Sequence, residues 1–346
     1  MPEILSLVAL SETDARAIRE VDVGVRLIEA GGWFDGEFAD TWPAATVARY
    51  VSGAGQGSRA QRDQLLASAE IVICGFPFPL DLHARSPRLS WVHQTPAGAS
   101  NLKGSDLWGK DLAVTTARGY GDSAAIAEYA IAGLLHFAKG FDHAQADRAR
   151  GRFEHAAYAP RALHDHTLCV IGCGGIGREI GRLARALGMR VVGTRATLAS
   201  ASDAVFERIG APCDLHALLA DSDYLALACQ WTPATTGLLD AAAFAAMKPG
   251  AIVVNVARGE IIDEAALLAA LTSGRVRGAV LDVYVGEFEG PPPAALWNHP
   301  RVLITPHTSA WTDSNRRRAL ELFRANLRRY LGGEALENRI DWARGY

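Results

Sequence analysis

Arg258, Glu287 and His307 are residue types that together can hold an anion and move a proton. Each stands just past an apolar run: Ala251 to Val256 before Arg258, Gly278 to Tyr284 before Glu287, and Val302 to Thr305 before His307. The forked, permanently charged guanidinium of an arginine can grip a carboxylate and polarise the carbonyl beside it. A neutral imidazole can take a hydroxyl proton in an oxidation, and an imidazolium can return it in a reduction. A carboxylate beside the ring favours the charged form and fixes its orientation. Such a set suits hydride chemistry at C2 of a 2-oxo or 2-hydroxy acid. Taken singly, each residue also has an ordinary use, Arg258 as an ion-pair partner and the other two as satisfied structural groups.

Hydride chemistry needs a carrier, and Val170-Ile171-Gly172-Cys173-Gly174-Gly175-Ile176-Gly177 offers it a seat. Three glycines alone say little. Here they follow an apolar strand, open an amphipathic helix and precede a second strand, which is the dinucleotide-binding context. Gly172 permits the tight turn, Gly174 lets backbone approach a pyrophosphate, and Gly177 lets helix and strand pack closely. The helix start at Gly175 and Ile176 offers unpaired N–H groups to the anion. The second strand runs into Gly193-Thr194-Arg195, with no acid to receive a ribose 2′-hydroxyl. Arg195, with Thr194 as a further donor, suits a 2′-phosphate, so NADP is expected ahead of NAD.

The elements that must position these residues alternate along the whole chain. Strand-like runs are read at Glu3 to Leu10, Ala69 to Gly75, Leu89 to Thr95, Leu112 to Thr116, Thr167 to Gly172, Met189 to Gly193, Tyr224 to Cys229 and the three named above. Runs such as Ile252-Val253-Val254 are apolar at successive positions, as in strands covered on both faces of a parallel sheet. After Gly172, apolar Ile176, Ile180, Leu183 and Leu187 mark a helix that Gly188 caps. Ala124 to Ala138 reads as a second long helix, and Pro291-Pro292-Pro293 as a loop. No fixed repeat is present. The expected fold is α/β, with two Rossmann-like or flavodoxin-like domains.

At 346 residues the chain exceeds the size of one ordinary core, which favours two domains. A formal charge of −3 gives no broad basic field, so nucleic acid is not an expected partner. The cysteines Cys74, Cys169, Cys173, Cys213 and Cys229 are odd in number, scattered and without zinc spacing. They read as reduced core residues, and no metal is expected. With neither a basic leader nor a membrane-length apolar run, the expected location is the cytoplasm.

In order, these motifs resemble the D-isomer-specific 2-hydroxyacid dehydrogenase family, which includes glyoxylate/hydroxypyruvate reductases, phosphoglycerate dehydrogenase and D-lactate dehydrogenase. Asn255-Val256-Ala257-Arg258-Gly259 resembles its N-x-A-R-G, which makes Arg258 the substrate arginine. Asp282-Val283-Tyr284 through Glu287 resembles its D-V-F-x-x-E, with Asp282 on the cofactor side and Glu287 the catalytic acid. Thr305-Pro306-His307 resembles its T-P-H, with His307 the acid/base. Thr95-Pro96-Ala97-Gly98-Ala99 resembles the segment whose N–H groups, here of Ala97 and Gly98, grip the substrate carboxylate, and Ala125 to Glu128 resembles a helix start of the family. The sequence departs from the pattern at Phe288, which replaces a proline and makes Glu289 a rival acid, and at Gln230 and Trp231, which alter adenine-side contacts.

The resemblance implies a substrate-binding domain of residues 1–113 and 309–346, a dinucleotide-binding domain of 114–308, a cleft between them, and a homodimer. Phe76 and Phe78 after a strand, and Trp311 after His307, can wall a pocket for a bulkier 2-oxo acid, although all three could serve as core or interface aromatics. The rival function is a dinucleotide-sensing, corepressor-like binding protein without significant turnover. The complete set of Arg258, Glu287 and His307 weighs against it.

Overall fold

The computed structural model describes residues 2–118, 123–155, 158–197, 203–312 and 315–343; the expected domain limits Met1 and Tyr346 lie outside them. The chain divides into two compact units. One comprises Met1–Gly121, Phe288–Gly290 and Asp313–Tyr346, and the other Asp122–Glu287 and Pro291–Thr312.

In the first unit, β1 (Glu3–Ser6), β2 (Arg26–Glu29), β3 (Ile71–Cys74), β4 (Trp91–Gln94) and β5 (Ala113–Thr116) form a sheet of order β2-β1-β3-β4-β5. Every pairing in it is parallel. Ile71-Val72-Ile73-Cys74 shows why the apolar run is unbroken. Successive side chains of a strand point to opposite faces, so Val72 and Cys74 join one core with Leu66, Leu82 and Leu102. Ile71 and Ile73 join the other, with Trp91, Leu320, Phe323 and Leu327. The last three belong to the helix Asn315–Leu331, so residues far along the chain cover a sheet begun at its start.

The second unit holds β6 (Thr167–Ile171), β7 (Arg190–Thr194), β8 (Arg208–Gly210), β9 (Tyr224–Leu227), β10 (Ala251–Asn255), β11 (Val276–Leu281) and β12 (Val302–Ile304) in the order β12-β11-β10-β9-β6-β7-β8, again all parallel. The faces divide as before, Ala251 and Val253 into one core and Ile252 and Val254 into the other. Each such buried aliphatic side chain contributes about 1.5–3 kcal/mol relative to exposure. The helix Ser123–Ala138 lays Leu134 and Phe137 into the second core beside Val280. The order reverses between β6 and β9, and ligands of doubly wound sheets bind in the crevice at such a reversal, beyond the strand C-termini.

The α/β reading holds, with differences at its margins. Two strands were not read, Arg26–Glu29 and Arg208–Gly210. Both are edge strands, each paired on one side only, and their mixed exposure leaves no apolar run to see. The expected run Gly278 to Tyr284 overshoots the strand, which ends at Leu281, because Val283 and Tyr284 are buried in the loop that follows. The cysteines are all free. Cys74, Cys169 and Cys173 are buried, but Cys229 is only partly covered by area and Cys213 is exposed.

Candidate active site

Because β6, β7, β10, β11 and β12 run parallel in one sheet, the segments that follow them emerge along one edge. That edge carries the glycine turn after β6, Thr194 and Arg195 at β7, Arg258 after β10, Glu287 after β11 and His307 after β12. β10, β11 and β12 are immediate neighbours, so the three polar residues occupy consecutive stations on it.

His307 and Glu287 meet. Nδ1 of the ring lies 3.1 Å from each carboxylate oxygen of Glu287. The acid is 4% exposed, and the histidine side chain 27%. An ionised carboxylate only accepts, so Nδ1 carries the hydrogen and the other ring nitrogen, Nε2, is the atom able to exchange a proton. Glu289, the rival acid, is exposed.

The backbone at His307 is held in the left-handed region, with φ 56°. A residue with a Cβ is uncommon there and persists where its surroundings over-determine it. The surroundings here are explicit. His307 N–H donates to the carbonyls of Asp282 (2.9 Å) and Thr305 (3.0 Å). The buried Asp282 carboxylate accepts from Thr305 Oγ1 (2.6 Å) and Thr308 N–H (2.8 Å) through Oδ1, and from Ser309 N–H (2.9 Å) through Oδ2. Both oxygens of Asp282, expected on the cofactor side, are thus engaged in holding the turn that presents His307. Tyr129 completes the support, its hydroxyl 2.6 Å from Thr305 Oγ1, and burial pushes its phenol well above the ordinary range.

Arg258 is presented by a second stapled turn. Asn255, fully buried at the end of β10, accepts Ala257 N–H at 2.9 Å and donates from Nδ2 to the Arg258 carbonyl at 2.8 Å. The next residue runs hard against the loop after β11, for a Cβ on Gly259 would fall 2.1 Å from the Tyr284 carbonyl carbon. The arginine turn and the loop leading to Glu287 are therefore fitted to each other at backbone level. The guanidinium donates to the Ala257 carbonyl at 2.6 Å.

The glycine turn has the form a pyrophosphate needs. A Cβ on Gly177 would stand 2.1 Å from the Gly172 carbonyl oxygen, whereas one on Gly174 would meet nothing within 4 Å. Gly177 is thus demanded by packing, and the room at Gly174 is open. The helix Gly175–Ala186 starts there with no side chain capping its N–H groups, and Ile176 lies in its first turn. Thr194 is buried at the end of β7, and Arg195 is half-buried. Its charge opposes the burial that pushes the thiol of Cys173, within the glycine turn, up to about 12.

The remaining expected positions lie in the first unit. Ala97 and Gly98 follow β4, and Phe76 follows β3. Phe76 packs edge-on against Trp42 and Tyr50 and against Phe288. Phe78 is a core residue, 1% exposed, while Trp311 is 60% exposed. Asp282, Asn255 and Tyr129 matter more to the geometry than sequence reasoning allowed. The asparagine stands in a recognisable motif, but nothing in the sequence links Tyr129 to Thr305.

Comparison with known proteins shows the family. Residues 131–309 match the family model described as D-isomer specific 2-hydroxyacid dehydrogenase, NAD binding domain. The chain belongs to this family. It is similar to a D-3-phosphoglycerate dehydrogenase of Methanocaldococcus jannaschii, 30% identical over 80% of this chain and 52% of the relative, and so spans about half the length of that protein. An (S)-sulfolactate dehydrogenase of Chromohalobacter salexigens is 32% identical over 74% of this chain and 82% of its own length. Among solved structures, a family member from Xanthobacter autotrophicus Py2, determined with NADPH and MES, superposes with a TM-score of 0.77 at 26% identity, covering 100% of this chain and 99% of the other. No helix among the described residues is long and apolar enough to cross a membrane.

Proposed function

We propose that this chain is an NAD(P)-dependent D-2-hydroxyacid dehydrogenase, acting as a 2-oxoacid reductase in the reverse sense. The observation that carries the proposal is the His307 to Glu287 pair, standing on the sheet edge that also bears Arg258 and the glycine turn. The nicotinamide, when bound, supplies or accepts the hydride at C2. Gly172, Gly174, Gly175, Ile176 and Gly177 would hold the pyrophosphate, and the open space at Gly174 fits that part. Arg258 pairs with the substrate carboxylate and draws charge from the C2 oxygen. His307 gives its Nε2 proton to that oxygen during reduction and takes it back during oxidation. Glu287 holds the ring by Nδ1–H and stabilises its charged form. Ala97, Gly98 and Phe76 are assigned to the substrate, within the first unit, and the second unit to the cofactor; the cuts expected at 113 and 309 shift, because β5 stays whole in the first unit and residues 309–312 stay in the second.

NADP is the favoured cofactor. Arg195 stands where an acid would select the unphosphorylated ribose, and the Xanthobacter relative was solved with NADPH. A 2-oxo acid larger than glyoxylate is the favoured substrate, and a crevice of about 130 Å³ opens in the first unit beyond β1 and β3, among Phe34, Asp35, Phe38, Tyr50, Phe76 and Pro77. A homodimer in the cytoplasm completes the reading, and the free cysteines suit a reducing compartment.

The test is a panel of glyoxylate, hydroxypyruvate and larger 2-oxo acids, with NADPH and NADH followed at their absorbance, on the wild type and on His307→Ala. Turnover that falls 10²- to 10⁴-fold in the variant, with cofactor binding retained, is the expected result. Cofactor binding without turnover of any acid by the wild type would overturn the reading and favour a dinucleotide sensor. Light scattering of the purified chain tests the dimer.

A further inference from the structure

Gln94 ends β4 and immediately precedes the loop that carries Ala97 and Gly98. It is 0% exposed, and neither its Oε1 nor its Nε2 has a hydrogen-bond partner among the described residues. Exchanging the two atoms changes nothing, since both are unpartnered. Asn101, at the far end of the same loop, has a buried, unpartnered Oδ1. Buried polar side chains are nearly always satisfied, so an amide idle at both ends calls for a reason. The strand would be better served by an apolar residue, for Val92, two positions earlier on the same face, lies in the core.

The loop itself points to the use. A peptide plane sets its N–H and C=O in opposite directions, so each N–H that the loop turns outward onto an anion sends the carbonyl of the same plane inward, where it needs a donor. On the buried side of the loop one donor is shared. The single N–H of Ala117 serves two carbonyls, those of Gln94 at 3.2 Å and Pro96 at 3.3 Å. The Gln94 amide, with two N–H groups, is the idle donor at the loop's base, and its Oε1 can receive any N–H that turns inward.

We propose that Gln94 is a positioning residue for substrate binding: its amide satisfies the inward carbonyls of the Thr95–Gly98 loop when the N–H groups of Ala97 and Gly98 turn onto the carboxylate of a 2-oxo acid. The inference rests on the dehydrogenase reading given above. In this role Gln94 acts through the loop, so its removal is read in the affinity for the carboxylate.

The experiment compares wild type and Gln94→Leu for KM of the 2-oxo acid, KM of NADPH, kcat and Tm, with Gln94→Met as a second variant should the first fail to fold. The expected result is a roughly 10-fold rise in KM for the acid, kcat within about 2-fold, an unchanged KM for NADPH and a Tm equal to or above that of the wild type, since unsatisfied buried groups are lost. An unchanged acid KM would overturn the proposal and leave the amide without a part in binding. A joint loss in both KM values and kcat, or failure of both variants to fold, would also overturn it and make the role structural. If the wild type turns over no 2-oxo acid, the functional reading itself fails. A wild type that turns over, with variants that match it, sinks the Gln94 role alone.

Discussion

Acidification should destabilise the first unit, and one histidine contributes a part of the loss that can be worked out. His93 is fully buried on β4, against the stacked rings of Trp91 and Phe323, and burial lowers its pKa from 6.5 to about 4. Its Nδ1 lies 2.9 Å from Thr115 Oγ1, which takes the Trp91 indole N–H at 2.9 Å, so Nδ1 receives the threonine hydroxyl hydrogen and the imidazole is neutral. Below pH 6.5 the unfolded chain binds a proton that the folded chain refuses. The contribution is therefore fully present above pH 6.5 and is lost as pH falls toward 4. Linkage with those two values puts the loss at about 2 kcal/mol by pH 5 and about 3 kcal/mol by pH 4. His136 and His299, also lowered by burial, change stability in the same sense, so wild type alone does not isolate His93. The comparison is with His93→Gln, which keeps an acceptor for Thr115 and cannot titrate. Urea unfolding followed by tryptophan fluorescence at pH 7, 6, 5 and 4 should give a wild-type stability that declines more steeply than the variant's by these amounts. Parallel curves would refute the reasoning.

Glu287→Gln keeps the shape of the acid and removes its charge; kcat/KM for the 2-oxo acid should fall roughly 10- to 100-fold with NADPH affinity unchanged. Glu289→Gln, at an exposed position, should be silent, and the reverse pattern would move the acid to Glu289. Gly174→Ala should leave Tm within about 1 °C and weaken NADPH binding about 10-fold, because its new methyl fills open space on the pyrophosphate side. Gly177→Ala should lower Tm by several degrees, since its Cβ collides with the Gly172 carbonyl, and equal effects on Tm would contradict the distinction. Arg195→Ser should raise Kd for NADPH about 10-fold in fluorescence titrations and leave NADH unmoved, the loss of one charged pair with a 2′-phosphate. Asp282→Asn should cost about 1–3 kcal/mol in denaturant unfolding, because an amide cannot accept all three hydrogen bonds in the same geometry.

The central strands and the glycine turn were legible because burial on both faces writes itself into the sequence, as in Ile252-Val253-Val254, and because backbone approach restricts a position to glycine, as at Gly177. Arg258, Glu287 and His307 were legible as strand-end residues once the strands were read. Edge strands were not, since Arg-Leu-Ile-Glu at β2 alternates too weakly to stand out. Nor was the part played by Asp282, whose partners Thr305, Thr308 and Ser309 lie 23 to 27 residues away. Such a staple is tertiary, and local pattern carries no trace of it. Gln94 was invisible for the opposite reason, being defined by partners it lacks.

The helix Asn315–Leu331 gives the chain an order of assembly on the ribosome. The second unit is complete once Thr312 has emerged, whereas the first, begun at the N-terminus, still lacks Leu320, Phe323 and Leu327. Until they arrive, the face of the sheet bearing Ile71, Ile73 and Trp91 is covered only in part, by Ile18 of the helix Glu12–Arg19, and an incompletely covered strand surface is prone to aggregate. Synthesis that stalls between Thr312 and Leu327 would therefore leave a chain with the His307–Glu287 pair already folded and the sheet of its first unit still adhesive, a ready client for a holding chaperone.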